Sequence, residues 1–219
     1  MPYETSKSVM RRLFDRRYAT TYLVGNGIDV GCGPDPISFY REQFPLMKNV
    51  LAWDKDRGDG MLLDGVLDES FDFVHASHSL EHMADPYEAL TNWIRVTKSG
   101  GHLIIIVPDE DRFEQGVWPS MYSGADHINS WTIGKDESWA PKSISIIEFV
   151  RPHLHDIEIL KIELLDNTYQ YDMPRLDQTR FPINECAIEL ILRKKTQAEI
   201  SAKGRIPKSD TSQMFEYTV

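Results

Sequence analysis

The sequence predicts a doubly wound α/β sheet, on three observations. Short apolar runs alternate with segments of helical spacing along the first half of the chain. The run His102 to Val107 is apolar on both faces, as a parallel strand covered by helices on both sides must be. Glycines crowd the end of the first run, at Gly31-Cys32-Gly33, where the backbone has to turn tightly. The chain has 219 residues, 41% of them hydrophobic. A chain of that size buries roughly 70% of its unfolded surface, so one domain over residues 1–195 is expected, followed by a polar tail over 196–219.

Taken in order, Ser8 to Tyr18 reads as a helix on which Val9, Leu13 and Phe14 share a face. Gly27 to Val30 is a short strand. Pro36 then stands where a helix begins, with Ile37, Tyr40, Arg41 and Phe44 at helical spacing before Pro45. Asn49 to Trp53 is a second strand ending at Asp54, and the Gly/Asp-rich stretch Asp56 to Gly60 leaves no room for a long helix. Phe71 to Ala76 is a third strand. Asp85 and Pro86 supply an N-cap and a first helical position for a helix carrying Leu90, Trp93, Ile94 and Val96, with Gly100 and Gly101 expected to end it. Beyond Pro108 the pattern loosens, and Asp109 to Ala140 reads as an irregular lid or insertion. Ser143 to His153 reads as helical, and Ile157 to Leu165 and Cys186 to Leu192 as strands.

Composition narrows the function. Two cysteines, Cys32 and Cys186, are too few for a disulfide framework and lack metal-ligand spacing, which suits a reduced, cytoplasmic protein. No apolar run approaches the roughly 20 residues of a membrane span, and Met1 to Arg17 has no apolar core of a secretory signal. A net charge of −10 argues against a nucleic-acid partner. Arg11, Arg12, Arg16 and Arg17 read as a solvated helix face.

In an open α/β sheet, ligands bind beyond the carboxyl ends of the strands. Four segments converge there: Ile28-Asp29-Val30-Gly31-Cys32-Gly33-Pro34, then Asp54, then Asp59-Gly60, then Ala76-Ser77-His78-Ser79-Leu80-Glu81-His82. The glycines let backbone approach a ligand, Asp54 can accept two hydrogen bonds from a ribose diol, and Asp59 can meet an adenine amine. A dinucleotide fingerprint would need a third glycine where Pro36 stands, which disfavours a nicotinamide enzyme.

These segments, with Glu69-Ser70-Phe71-Asp72-Phe73-Val74 and Val96-Thr97-Lys98-Ser99-Gly100-Gly101-His102-Leu103, closely resemble the successive motifs of class I S-adenosylmethionine-dependent methyltransferases, nearest the type 11 group. The resemblance spans Gly25 to Pro108. It implies a Rossmann-like seven-stranded sheet with the last strand antiparallel, and S-adenosylmethionine as cofactor. It implies that Asp29, Gly31 and Gly33 line the methionine portion, that Asp54 holds the ribose, and that Asp59, Gly60 and Met61 flank the adenine. Cys32 and Lys55 fall beside these residues, and Ser77 and His78 beside the methionine and the transferring methyl.

The expected acceptor is a hydroxylated small molecule or a glycan precursor, with N- or C-methylation and a non-catalytic scaffold as the competing readings. A hydroxyl acceptor needs a proton removed, commonly by histidine. His127, in Gly124-Ala125-Asp126-His127, is the first candidate and needs a carboxylate other than Asp126 to orient it; His78 is the second. Asp109, Glu110 and Asp111 form an acidic cluster in which Glu110 and Asp111 read as solvated. Phe113, Trp118, Tyr122 and Trp131 are either acceptor-pocket walls or core. No metal ligand is assigned.

Overall fold

The structure, a computed structural model, describes residues 3–122 and 126–206. Helix α1 (Glu4–Arg12) precedes a one-turn π-helix at Tyr18–Tyr22 and strand β1 (Gly25–Val30). Strands β2 (Met47–Trp53) and β3 (Phe71–Ser77) flank β1 in parallel, and helix α2 (Pro86–Val96) leads into β4 (Thr97–Pro108). Strand β5 (Ser130–Thr132) pairs in parallel with β6 (Ser143–Ser145), followed by α3 (Ile146–Val150), β7 (Ile157–Leu165), β8 (Ala187–Lys194) and α4 (Gln197–Ala202). The central sheet runs β2-β1-β3-β4-β8-β7, with β8 antiparallel to both neighbours.

The antiparallel last strand is as expected, but the described sheet has six strands and not seven. Another parallel strand outside β2 would need a crossover of a dozen residues or more. Residues 54–70 run as turns instead, and their aspartates and glycines favour turns over a helix and strand. Strand β2 is therefore the edge.

Local signals explain most of the boundaries. The Asp85 carboxylate accepts hydrogen bonds from the amides of Tyr87 and Glu88 at 3.0 and 3.1 Å, and Pro86 opens α2. Leu90, Trp93 and Val96 are fully buried from that helix. It ends at Val96 rather than at the glycines, because Thr97 already pairs with Phe71; Gly100 and Gly101 lie in the irregularity before Phe73 pairs with His102. The helix expected after Pro36 is only a 3-10 turn, Ile37–Tyr40. Leu13 and Phe14 stay exposed, because α1 stops at Arg12 and turns its other side to the sheet.

In the segment after β4, expected to be an irregular lid or insertion, the described residues form one π-helical turn and strand β5 among turns and bends. The Asp109 carboxylate accepts from the amides of Asp111 and Arg112 and starts a π-helical turn, Glu110–Glu114. Glu110 is fully buried, contrary to its solvated reading: it accepts from Lys135 at 2.6 Å, Ser138 at 2.8 Å and Ser143 at 2.5 Å. Trp131 is core, with its ring 5.0 Å from that of Phe149, whereas Trp118 and Tyr122 are half-buried. The stretch 143–153 divides into β6, α3 and a 3-10 turn. Of the polar tail, residues 197–202 form α4, begun by a Thr196/Glu199 capping box and held by the Arg193–Glu199 ion pair. Among the described residues, no helix is long and apolar enough to cross a membrane.

The N-terminal arginines correct another expectation. Arg16 and Arg17 are exposed, but the Arg12 side chain is wholly buried. Its guanidinium bonds Glu189 on β8 at 3.2 Å and His75 Nε2 on β3 at 3.0 Å. Arginine only donates, so His75 Nε2 must accept and Nδ1–H must donate; its partner is Asp29 Oδ1 on β1, at 2.6 Å. Arg11 and Lys161 also reach Glu189, each at 2.9 Å, and the Tyr18 hydroxyl donates to it. Burial pushes the Glu189 carboxyl up, but Arg12, Arg11 and Lys161 outweigh it and hold the group well below the usual carboxylate range.

Arg12→Ala leaves Glu189 and His75 with a lost buried partner and should destabilise the fold by about 3–5 kcal/mol in urea denaturation. The depressed Glu189 pKa stabilises the fold above the unfolded glutamate value of about 4.3, and that contribution is lost as pH falls toward the folded value. Stability should therefore decline below about pH 5, with a shallower acid limb in Glu189→Gln measured by the same denaturation at stepped pH.

Candidate functional site

Beyond the carboxyl ends of β1, β2 and β3 lies a cavity of about 640 Å³. Seven of the residues expected from the sequence line it: Gly31, Asp54, Lys55, Asp59, Gly60, Met61 and His78. Gly31 has φ +68°, and a Cβ there would stand 2.5 Å from Ser79 Cβ, so only glycine lets the loop pass under Ser79. Asp54 Oδ2 accepts from the Gly33 amide at 2.9 Å and Oδ1 from the Lys55 amide at 2.7 Å, tying the ends of β1 and β2 together. Asp59 Oδ1 accepts from the Met61 amide at 2.8 Å. The Trp93 indole donates to the Gly60 carbonyl at 2.9 Å, and Trp53 to that of Gly58 at 3.2 Å.

Asp29, Cys32, Gly33, Ser77 and His127 do not reach the wall. Asp29 is buried with both oxygens engaged, one by His75 and the other by the Ile37 amide at 2.6 Å, so it anchors the loop from beneath. Cys32 is half-buried, and burial, with Asp29 and Asp54 nearby, pushes its thiol up to about 11. Gly33 has φ +53° and no atom within 4 Å of a would-be Cβ.

His78 also has a left-handed φ, +53°, a conformation uncommon outside glycine. Its amide donates to the Ile106 carbonyl at 2.9 Å, which holds the strained residue against β4 and sets its ring on the wall. One turn later, in the 3-10 segment Leu80–His82, Glu81 is fully buried. The Glu81 carbonyl accepts from the amides of Ile128 and Asn129 at 2.7 and 3.0 Å, strapping residues 126–129 alongside. His127 therefore sits beside Glu81 but behind His82, with ring centroids 5.0 Å apart. The orienting carboxylate that His127 required is Glu114, whose Oε1 lies 2.5 Å from His127 Nδ1. Gly124 and Ala125 of its motif lie outside the described residues.

Around the Glu81 Oε1 atom stand His78 Nδ1 at 3.4 Å, His82 Nε2 at 3.8 Å and His127 Nε2 at 3.9 Å. Burial pushes the Glu81 carboxyl up, but His78, His82 and His127 outweigh it and hold it below its ordinary value. Burial likewise lowers the His78 imidazole, and Glu4 and Glu81 more than reverse that. Sequence reasoning singled out neither Glu81 nor His82. The His78-x-x-Glu81-His82 spacing was the available signal. Trp53, Ser79 and Met83 also line the cavity without having been singled out.

Residues 4–140 match the model of a family described as a methyltransferase domain. No curated protein matches the chain. Among solved structures, an S-adenosylmethionine-dependent methyltransferase from Archaeoglobus fulgidus is similar at 18% identity and TM-score 0.51, over 87% of this chain and 94% of that one. An inferred methyltransferase from Bacillus halodurans is similar at 15% identity and TM-score 0.54, over 86% of this chain and 100% of that one. At these identities the likeness is one of fold.

Gly31→Ala combines a left-handed φ with the Ser79 contact and should cost about 1–3 kcal/mol of stability. Gly33→Ala meets open space and should cost less, so the order of the two denaturation midpoints checks the loop geometry.

Proposed function

The chain belongs to the methyltransferase domain family, and we propose that it transfers the methyl group of S-adenosylmethionine to a hydroxyl oxygen of a small hydroxylated molecule or glycan precursor. The cavity suits that cofactor. Its wall carries Asp54 at the end of β2 for the ribose diol, and Asp59, Gly60 and Met61 for the adenine. The hydroxyl of Ser79, on the wall, and that of Ser77, beside it, are buried without hydrogen-bond partners and suit the polar methionine end.

When bound, the cofactor's sulfonium supplies an already activated methyl. The protein then has to align the acceptor, exclude water and accept the acceptor's proton. The observation that carries the hydroxyl reading is the buried Glu81 carboxylate ringed by three imidazoles at the strand ends. A hydroxyl gives up its proton as its oxygen gains the methyl, and an imidazole backed by a carboxylate is suited to take it. Of the two sequence candidates, His78 is on the wall and is the proton acceptor in this reading. His127 supports from behind. Both cysteines are free, which fits the cytoplasmic location proposed for the protein.

Calorimetric titration with S-adenosylmethionine tests the site: Asp54→Ala should weaken binding by about 1–3 kcal/mol. Unchanged affinity would remove Asp54 from the ribose site. Release of S-adenosylhomocysteine from a panel of matched alcohols and amines tests the acceptor, with turnover expected on alcohols; turnover confined to amines would overturn the hydroxyl reading.

A further inference from the structure

We propose that Glu81, His82 and His127 form a binding site for a divalent transition-metal ion of the zinc type. One donor atom from each of the three residues lies within 4.8 Å of the others. The Glu81 side chain is fully buried, yet among the described residues neither of its oxygens has a hydrogen-bond donor. A carboxylate removed from water without partners is costly unless a cation or donors compensate it.

The spacing points to an ion rather than to direct hydrogen bonds. His78 Nδ1, His82 Nε2 and His127 Nε2 stand 3.4, 3.8 and 3.9 Å from Glu81 Oε1, all longer than an ordinary hydrogen bond. Ligands held at about 2.0–2.2 Å by one tetrahedral zinc lie roughly 3.3–3.6 Å from each other, so each of the two histidine nitrogens needs to come closer to Glu81 Oε1 by only a few tenths of an ångström.

Both imidazoles are already turned the right way. His127 Nδ1 meets Glu114 Oε1 at 2.5 Å, so that nitrogen carries the proton and Nε2 offers its lone pair toward Glu81. His82 Nδ1 donates to the Asp126 carbonyl at 3.1 Å, which leaves His82 Nε2 free in the same way. Carboxylate and carbonyl partners behind ligating histidines are the usual means of fixing their tautomers. Two imidazoles and one carboxylate suit Zn²⁺ or Fe²⁺, and offer too few oxygens for Ca²⁺ or Mg²⁺.

Three protein ligands leave further coordination positions, and His82 faces the cavity. An acceptor oxygen bound there would lose its proton more readily. That role rests on the hydroxyl reading above; the binding of the ion does not.

The test uses the full chain, stripped with a chelator and titrated with Co²⁺ by visible absorption and with Zn²⁺ by calorimetry. One equivalent of Co²⁺ should give the d–d bands of a low-coordinate N/O site, displaced by Zn²⁺. Glu81→Gln and His127→Ala should abolish the bands, and Glu114→Gln should weaken Zn²⁺ binding by about 10–100-fold. His82→Ala, at a half-exposed side chain, carries the test if the buried variants do not fold. Absent bands, or bands and Zn²⁺ affinity that Glu81→Gln or His82→Ala leave unchanged, would overturn the proposal. Titration of the same stripped sample with S-adenosylmethionine separates the two readings: cofactor binding without metal binding sinks only the metal site, and metal binding without cofactor binding sinks only the cofactor site.

Discussion

The buried Arg12 guanidinium is the constraint on which the rest of the structure depends. It joins Glu189 on β8 to His75 on β3, and through His75 to Asp29 on β1. Asp29 in turn accepts the Ile37 amide, the first residue after the glycine loop. One chain of polar contacts thus runs from the antiparallel strand β8 to the loop beneath the cavity. Replacing such a network by apolar side chains is often neutral or stabilising. Its value here is positional: it fixes where the loop leaves β1, and an apolar core would not set that direction.

The cavity wall divides into two functions along the chain. The ends of β1 and β2, with the Asp54–Gly33 bond between them, shape a polar cradle from backbone amides and carboxylates. The end of β3 and its 3-10 turn bring imidazoles round one carboxylate, with the 126–129 strap closing the far side. In the proposed reading, the first half holds the methyl donor and the second takes up the acceptor's proton.

The fold was legible wherever a local rule acts alone. Asp85-Pro86 marked α2 because capping is a two-residue event, and the apolar run at His102 to Val107 marked β4 because burial on both faces excludes polar residues. The half of the wall at the ends of β1 and β2 was legible for the same reason, its residues following closely on strand ends. What was missed depends on contacts distant in sequence. Arg12 reads as a surface residue until Glu189 and His75 are known to meet it, and Glu110 until Lys135, Ser138 and Ser143 do. The family resemblance implies Asp29 on the methionine side, but strand alternation turns its side chain inward, onto His75 and the Ile37 amide. His127 reached the right neighbourhood and the wrong layer, since the strap that carries it is fixed by hydrogen bonds to the Glu81 carbonyl.

Because residues 54–70 build turns and no outer strand, β2 has a sheet neighbour on one side only. Its exposed Lys48 and Asn49 discourage pairing with another chain. The same absence leaves the two walls of the cavity differently supported. The wall at Ser77 to His82 is backed by β4 and by the mostly buried residues 127–131, whereas the wall at Asp54 to Met61 has no strand outside it and is held by the indoles of Trp53 and Trp93 and the side-chain amide of Asn92. In the proposed reading, the adenine end of the cofactor meets the wall that has no strand outside it, and the acceptor's proton meets the wall backed by β4.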